Sequence, residues 1–187
     1  VSVLSDADIL QAQNGAELEI IDFDVQCLRS SSYLLRLHDR LLVRDSAPVV
    51  IDSRSTDTAS LFSEVTIPAE GYVLEPGKLY LASSVERLRL GHNLCADMGL
   101  LSCYARIGLN LNFGSNFVAA TFGMGIASRL TLEIINLSHD RIRIYPGVKF
   151  CHLRFHQQLS PSSSPYSGIY AAGEQTLPTN FNLKPAR

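Results

Sequence analysis

The stretch "YVLEPGKLYLASSVERLRL", residues 72–90, decides how the chain reads. Valine, leucine and tyrosine crowd the runs on either side of Glu75-Pro76-Gly77. Proline fixes φ there and glycine accepts a positive φ, so the triplet is a tight turn between strands. Working outward, "SSYLLRLHDRLLVR", "APVVIDS", "GLNLNF", "SRLTLEIINLS" and "IRIYPGVKFCHLRFHQ" have the same character, and Tyr145-Pro146-Gly147 repeats the turn chemistry. In "RLTLEIIN", Leu130, Leu132 and Ile134 alternate with Arg129, Thr131 and Glu133, so Glu133 faces away from the leucines. Many short strands with little helix mean a sandwich or barrel, a mainly β fold. One short helix precedes them in "LSDADILQAQNG": Ser5 or Asp6 caps it, Ile9 and Leu10 share a face, and Asn14-Gly15 ends it.

The 187 residues suffice for one domain with a sizeable core. With 46% hydrophobic and 18% charged residues the composition is that of a globular protein, and no apolar run approaches the roughly 18 residues of a membrane span. The opening "VSVLSDADILQAQNG" lacks the basic-then-apolar layout of a secretion signal, which points to the cytoplasm. A net charge of -2 and scattered lysines and arginines offer no field for a nucleic acid polymer. Cys27, Cys95, Cys103 and Cys151 sit apart among apolar neighbours and read as buried free thiols.

Residues 1–159 form the β domain in this reading. "SPSSSPYSG", residues 160–168, is polar and proline-rich and reads as a linker. The tail to residue 187 carries Tyr166, Tyr170, Phe181 and Leu183, more apolar surface than a free tail needs, so it is expected to dock, on a neighbouring subunit if the protein is oligomeric. One run stays puzzling: "LLSCYARIGLNL", residues 100–111, places Arg106 inside an apolar, strand-like segment.

In this order the motifs resemble the dCTP deaminase branch of the trimeric dUTPase-like superfamily, out to about Thr179. "LSDADIL" is similar to that family's opening helix, "SSYLLRLHD" to S-Y-D-L-R-L-G, and "YVLEPGKLYLASSVERLRL" to its V-L-x-P-G hairpin. "LSCYARIGL" is similar to R-S-S-x-A-R-x-G-L, "LTLEIINLS" to I-x-L-E-x-x-N, and "PYSGIY" to P-Y-x-x-K-Y. The resemblance implies a distorted β-barrel or jelly-roll subunit in a homotrimer with active sites between subunits. It also implies that a carboxylate at the position of Glu133 activates water for attack on the cytosine ring, with Ser102 and Arg106 at positions that hold base, water or sugar. A zinc-dependent deaminase would need H-x-E followed by P-C-x-x-C, and the chain has neither. His152 and His156, spaced as helical metal ligands, lie in a strand-like run and read as surface or interface imidazoles. No metal or cofactor is called for.

The chain departs from the family where phosphates are expected. Leu101 replaces an arginine, Cys103 a serine and Ile169 a lysine, while Gly173 and Glu174 fall where a glutamine and a basic residue are found. Hydrogen bonds to charged groups contribute about 1.5–3 kcal/mol each, so three losses correspond to several orders of magnitude in affinity. Leu34 replaces the aspartate of S-Y-D-L-R-L. Between the motifs, "NFGSNFVAATFGMGIAS" puts Gly123 and Met124 in place of an acid and a proline, and Phe113, Phe117, Phe122, Met124 and Tyr170 become candidate substrate contacts in an apolar pocket.

These departures set the functional expectation. Glu133 and Arg106 would form an acid-base pair, with Ser102 hydrogen bonding, for a cyclisation, rearrangement or isomerisation of a non-phosphorylated, largely apolar small molecule in secondary metabolism. The alternative is dCTP deamination or dUTPase-like hydrolysis, with phosphate contacts from residues such as Arg129, Lys149 or Lys184. A third reading is a non-catalytic trimeric binding protein in which Glu133 and Arg106 fasten an interface and the phenylalanines are core.

Overall fold

In the computed structural model, which describes residues 2–44, 47–168, 170 and 176–181, β strands dominate. In chain order the described elements are β1 (Ser2–Val3), α1 (Asp6–Gln13), β2 (Leu18–Ile21), β3 (Leu28–Arg29), β4 (Ser32–Arg44), β5 (Phe62–Thr66), β6 (Tyr72–Leu74), β7 (Leu79–Leu90) and β8 (Leu94–Leu100). After these come α2 (Ser102–Ala105), β9 (Leu109–Leu111), β10 (Phe117–Val118), β11 (Ser128–Asn136), β12 (Ile142–Ile144) and β13 (Lys149–Gln157). Ile169, Gly173, Glu174, Leu183 and Lys184, singled out above, lie outside the described residues.

α1 starts where the cap chemistry places it. The Ser5 hydroxyl accepts the Asp8 N–H, and the Asp8 carboxylate accepts the Ser5 N–H at 3.0 Å, a reciprocal capping box. Ile9 is fully buried while Leu10 is exposed, so the two do not share a face as expected; they are one residue apart, about 100° around the helix.

The strands form one curled sheet in the order β10-β8-β13-β4-β7-β11-β9, all antiparallel along this path. β4 makes the curl. Its first half pairs with β13 and its second half with β7, and its register against β7 shifts between Leu37 and Leu41. At that bend the fully buried Glu86 of β7 accepts the Arg36 backbone N–H at 2.9 Å and its Nε–H at 2.7 Å. The pair ties the two halves of the sheet together.

The concave side holds the core, including Tyr33, Tyr80, Phe150 and Phe155, each worth roughly 1.5–3 kcal/mol of transfer energy. The tyrosine oxygens stay satisfied: Tyr33 accepts the Asp24 N–H at 2.8 Å and Tyr80 the Glu75 N–H at 2.9 Å. Both Pro-Gly turns are present, with φ of 71° at Gly77 and 74° at Gly147. Yet β6 does not pair back onto β7 as a hairpin. It pairs with β12 as a separate antiparallel two-stranded sheet, which sets the two turns at opposite ends of the pair.

Two further expectations are corrected. Cys27 and Cys151 are buried, but Cys95 is only half-buried and Cys103 is exposed. Residues 160–168 carry no strand yet do not leave the body. The Ser162 N–H donates to His92 O at 2.8 Å, and the Tyr166 ring lies 6.4 Å from that of Phe122.

Candidate active site

Strict alternation along β11 places the functional side chains. Leu130, Leu132 and Ile134 are buried in the core, while Arg129, Thr131 and Glu133 share the opposite face. There Glu133 stands across from Leu81 of β7 and looks into a cavity of about 620 Å³, within the size range of small-molecule sites. Phe117, Phe122 and Tyr170 line it, together with Arg129 and Thr131. A second cavity of about 290 Å³ meets the first at Glu133, Leu81 and Thr179, and Phe113 lines this one. Met124 lines neither cavity and is 42% exposed.

Burial among these groups pushes the Glu133 carboxyl above the usual carboxylate range. A carboxyl raised toward neutrality can take a proton from water and return it within one catalytic cycle.

Asn112 holds this residue in place, a role the sequence did not disclose. It is 3% exposed, in the left-handed region at φ 56°, where asparagine is among the tolerated residues. Its N–H donates to Glu133 O at 2.8 Å and its Oδ1 accepts the Glu133 N–H at 3.2 Å. Its Nδ2 spans Ser115 O and Thr131 O at 3.2 and 3.4 Å. The only signal in the chain was an asparagine beside a glycine-containing loop.

The described tail packs on its own chain and closes the cavities from outside. Thr58 donates its N–H and hydroxyl to Thr179 O at 2.9 and 2.6 Å, the Phe181 N–H reaches Thr56 O at 3.0 Å, and the Thr176 hydroxyl reaches Ala82 O at 3.0 Å. The Tyr170 hydroxyl donates to Thr179 Oγ1 at 3.2 Å.

Ser102 and Arg106 are not brought to Glu133 within one subunit. The run 100–111 is not one strand: it leaves β8, makes the short helix α2 and resumes as β9, leaving Ser102 and Arg106 exposed. Arg106 lines a different, open groove with Arg141 and Arg143, so it does not share the Glu133 cavity of its own subunit. The two histidines of β13 have separate partners: His152 Nδ1 lies 2.9 Å from Ser32 Oγ, and His156 Nε2 meets the Asp97 carboxylate.

The curled antiparallel sheet, with a half-buried glutamate on the face of β11 turned from the core, is a dUTPase-like fold. The crystal structure of 2'-deoxycytidine 5'-triphosphate deaminase from Agrobacterium tumefaciens superposes with a TM-score of 0.62 at 23% identity, covering 82% of this chain and 47% of that one. The present chain thus spans about half the length of that structure's chain. The family model described as dCTP deaminase-like matches residues 3–158, and the chain belongs to that family. A relative named "dCTP deaminase, dUMP-forming" from Persephonella marina is 29% identical over 97% of this chain and 98% of its own length. One of the same name from Cytophaga hutchinsonii is 34% identical over 88% of each chain.

These relatives overturn the expectation of chemistry redirected to an apolar, non-phosphorylated molecule in secondary metabolism. Likeness to dCTP deaminases runs through nearly the whole chain, past the replaced positions. The physical premise also weakens, because a cationic side chain, Arg129, lines the Glu133 cavity from a position the lost motifs do not cover. Among the described residues no helix is long and apolar enough to cross a membrane.

Proposed function

We propose that the protein is a dCTP deaminase: it converts dCTP and water to a deoxyuridine nucleotide and ammonia. The observation that carries this reading is the 29% identity to a dUMP-forming dCTP deaminase across 97% of the chain. The site supports it with a half-buried carboxyl in a cavity of nucleotide size.

In this mechanism ionised Glu133 takes a proton from water as the oxygen attacks C4 of the cytosine ring. The carboxyl returns that proton to N3, then takes the proton of the new C4 hydroxyl and passes it to the amino group, which leaves as ammonia while the C4 carbonyl forms. Atoms balance, since the oxygen gained at C4 comes from the water and the nitrogen lost leaves as ammonia. Phe117 and Phe122 exclude bulk water from the ring, which strengthens the electrostatics of this exchange. No metal takes part in this scheme.

Homotrimeric assembly belongs to the same proposal. Ser102 and Arg106, exposed on α2 and at its end, are the groups that one subunit offers to the Glu133 cavity of the next, and the tail from residue 160 onward closes the shared site. A cytoplasmic setting, where deoxynucleotide pools are held, completes it.

Purified protein incubated with dCTP, followed by anion-exchange separation and ammonia assay, tests the reading. Stoichiometric ammonia with dUTP or dUMP is the expected result, the identity of the product deciding whether pyrophosphate release follows deamination. Unchanged dCTP with a well-folded oligomer would refute it.

A further inference from the structure

The smaller cavity that adjoins the Glu133 carboxyl has a different chemistry from the larger one. It holds about 290 Å³ and meets its neighbour at Glu133, Leu81 and Thr179. Its floor follows from the strand period of two. Leu79 and Leu81 of β7 point to one face, and Leu81 stands across from Glu133 of β11 on one side and from Leu42 of β4 on the other. Phe62 at the start of β5, Phe113 next to Asn112, and Phe181 of the tail add apolar walls. The two hydroxyls of the lining are engaged: Thr58 Oγ1 donates to Thr179 O at 2.6 Å, and Thr179 Oγ1 accepts the Tyr170 hydroxyl at 3.2 Å. Among the described lining residues only Arg44 and Glu133 carry charge.

Deamination of dCTP itself leaves this space without a role. With C4 of the ring at Glu133, two ring atoms flank the reacting carbon: N3, which must face a proton carrier, and C5, which carries only hydrogen. A ring nitrogen turned to an apolar wall forfeits its hydrogen bond, whereas a C–H group loses nothing there. N3 therefore stays with the carboxyl, and C5 is the edge of the ring that suits Leu81 and the apolar cavity beyond it. Hydrogen at C5 leaves that cavity without contacts. A carbon substituent fills part of it, gains dispersion contacts and is removed from water.

We propose that the cavity of Phe62, Leu79, Leu81 and Phe113 receives an apolar substituent at C5 of the cytosine ring, which makes 5-methyl-dCTP and other 5-alkyl deoxycytidine nucleotides a second class of substrate. This rests on the dCTP reading above and extends it. The bonds exchanged are the same: the oxygen of water bonds to C4, the bond from C4 to the amino nitrogen breaks, and ammonia leaves. The methyl carbon is untouched, so the product is a thymidine nucleotide, and no reactant besides water is needed.

The test is steady-state kinetics of the wild type, Leu79→Phe and Phe62→Trp on dCTP and on 5-methyl-dCTP, with ammonia release read for both and the product base identified by mass. In the wild type, kcat/KM for 5-methyl-dCTP at least matches that for dCTP, and exceeds it by about fourfold where the methyl group is fully dehydrated. Leu79→Phe and Phe62→Trp fill the cavity from two different strands. Each lowers the ratio of the two kcat/KM values by about fivefold or more, the worth of crowding a carbon group into filled space. The ratio cancels a general loss of folding or catalysis, because both nucleotides meet the same protein. A wild type that turns over dCTP and prefers it to 5-methyl-dCTP overturns the proposal and leaves the deaminase reading standing. A ratio that neither filling variant changes does the same. A well-folded oligomer that releases ammonia from neither nucleotide sinks the deaminase reading and this second substrate class with it.

Discussion

Asn112→Ala probes how firmly the strand that carries Glu133 is held. The substitution removes the acceptor of the Glu133 N–H at 3.2 Å and two donations, to Ser115 O at 3.2 Å and Thr131 O at 3.4 Å. At about 1 kcal/mol for each of the two shorter bonds, and less for the longer one, the bonds total roughly 2–2.5 kcal/mol. Alanine must also hold the left-handed φ of 56°, roughly 1 kcal/mol more. The sum is about 3 kcal/mol, and at about 2–4 °C per kcal/mol for a chain of this size the melting temperature falls by roughly 6–12 °C. Asn112→Asp keeps the acceptor and the tolerance for positive φ, so it melts between the two. Scanning calorimetry at matched protein concentration reads both shifts, and dCTP turnover should fall with them as Glu133 loosens. An Asn112→Ala protein that melts with the wild type would refute the reasoning.

Three other perturbations have signs fixed by the structure. Glu133→Gln cuts turnover by about 10²- to 10⁴-fold, the usual worth of a proton-transferring group. Because burial raises the Glu133 pKa in the folded state, the folded protein binds that proton more tightly than the unfolded chain, and wild-type stability falls as pH rises through the raised value. Thermal melts should show Glu133→Gln above the wild type near neutrality, with the gap closing on acidification below the ordinary carboxyl range; a gap that widens instead would reverse the assignment. Gly123→Ala places a Cβ 2.1 Å from Leu88 O at a φ of 69°, so urea unfolding should register a loss of about 2–4 kcal/mol. Arg36→Leu strands the buried Glu86 carboxylate at a cost of about 3–5 kcal/mol, and adding Glu86→Leu should recover most of it; no recovery in the double variant would contradict the pairing.

The sequence disclosed what local chemistry dictates. Period-two alternation placed Glu133 opposite Leu132 and Ile134, the Ser5 cap located α1, and proline with glycine marked both turns. Long-range pairing was not legible: nothing in "YVLEPGKLYL" says that β6 joins β12 rather than β7. The four residues of α2 are too few for a helical period, which is why Ser102 and Arg106 read as part of a strand. Substitutions at motif positions suggested a lost nucleotide site, because a linear motif records what has gone from its own positions. It does not record that Arg129, outside those positions, lines the Glu133 cavity once the chain folds.

Turnover of dCTP in heavy-oxygen water, with mass analysis of the product base, tests the central claim most directly. The account predicts one heavy oxygen in the uracil ring of the product formed by the wild type and no such product from Glu133→Gln. Wild-type protein that leaves dCTP unlabelled and intact, or an undiminished yield of labelled product from Glu133→Gln, would contradict it.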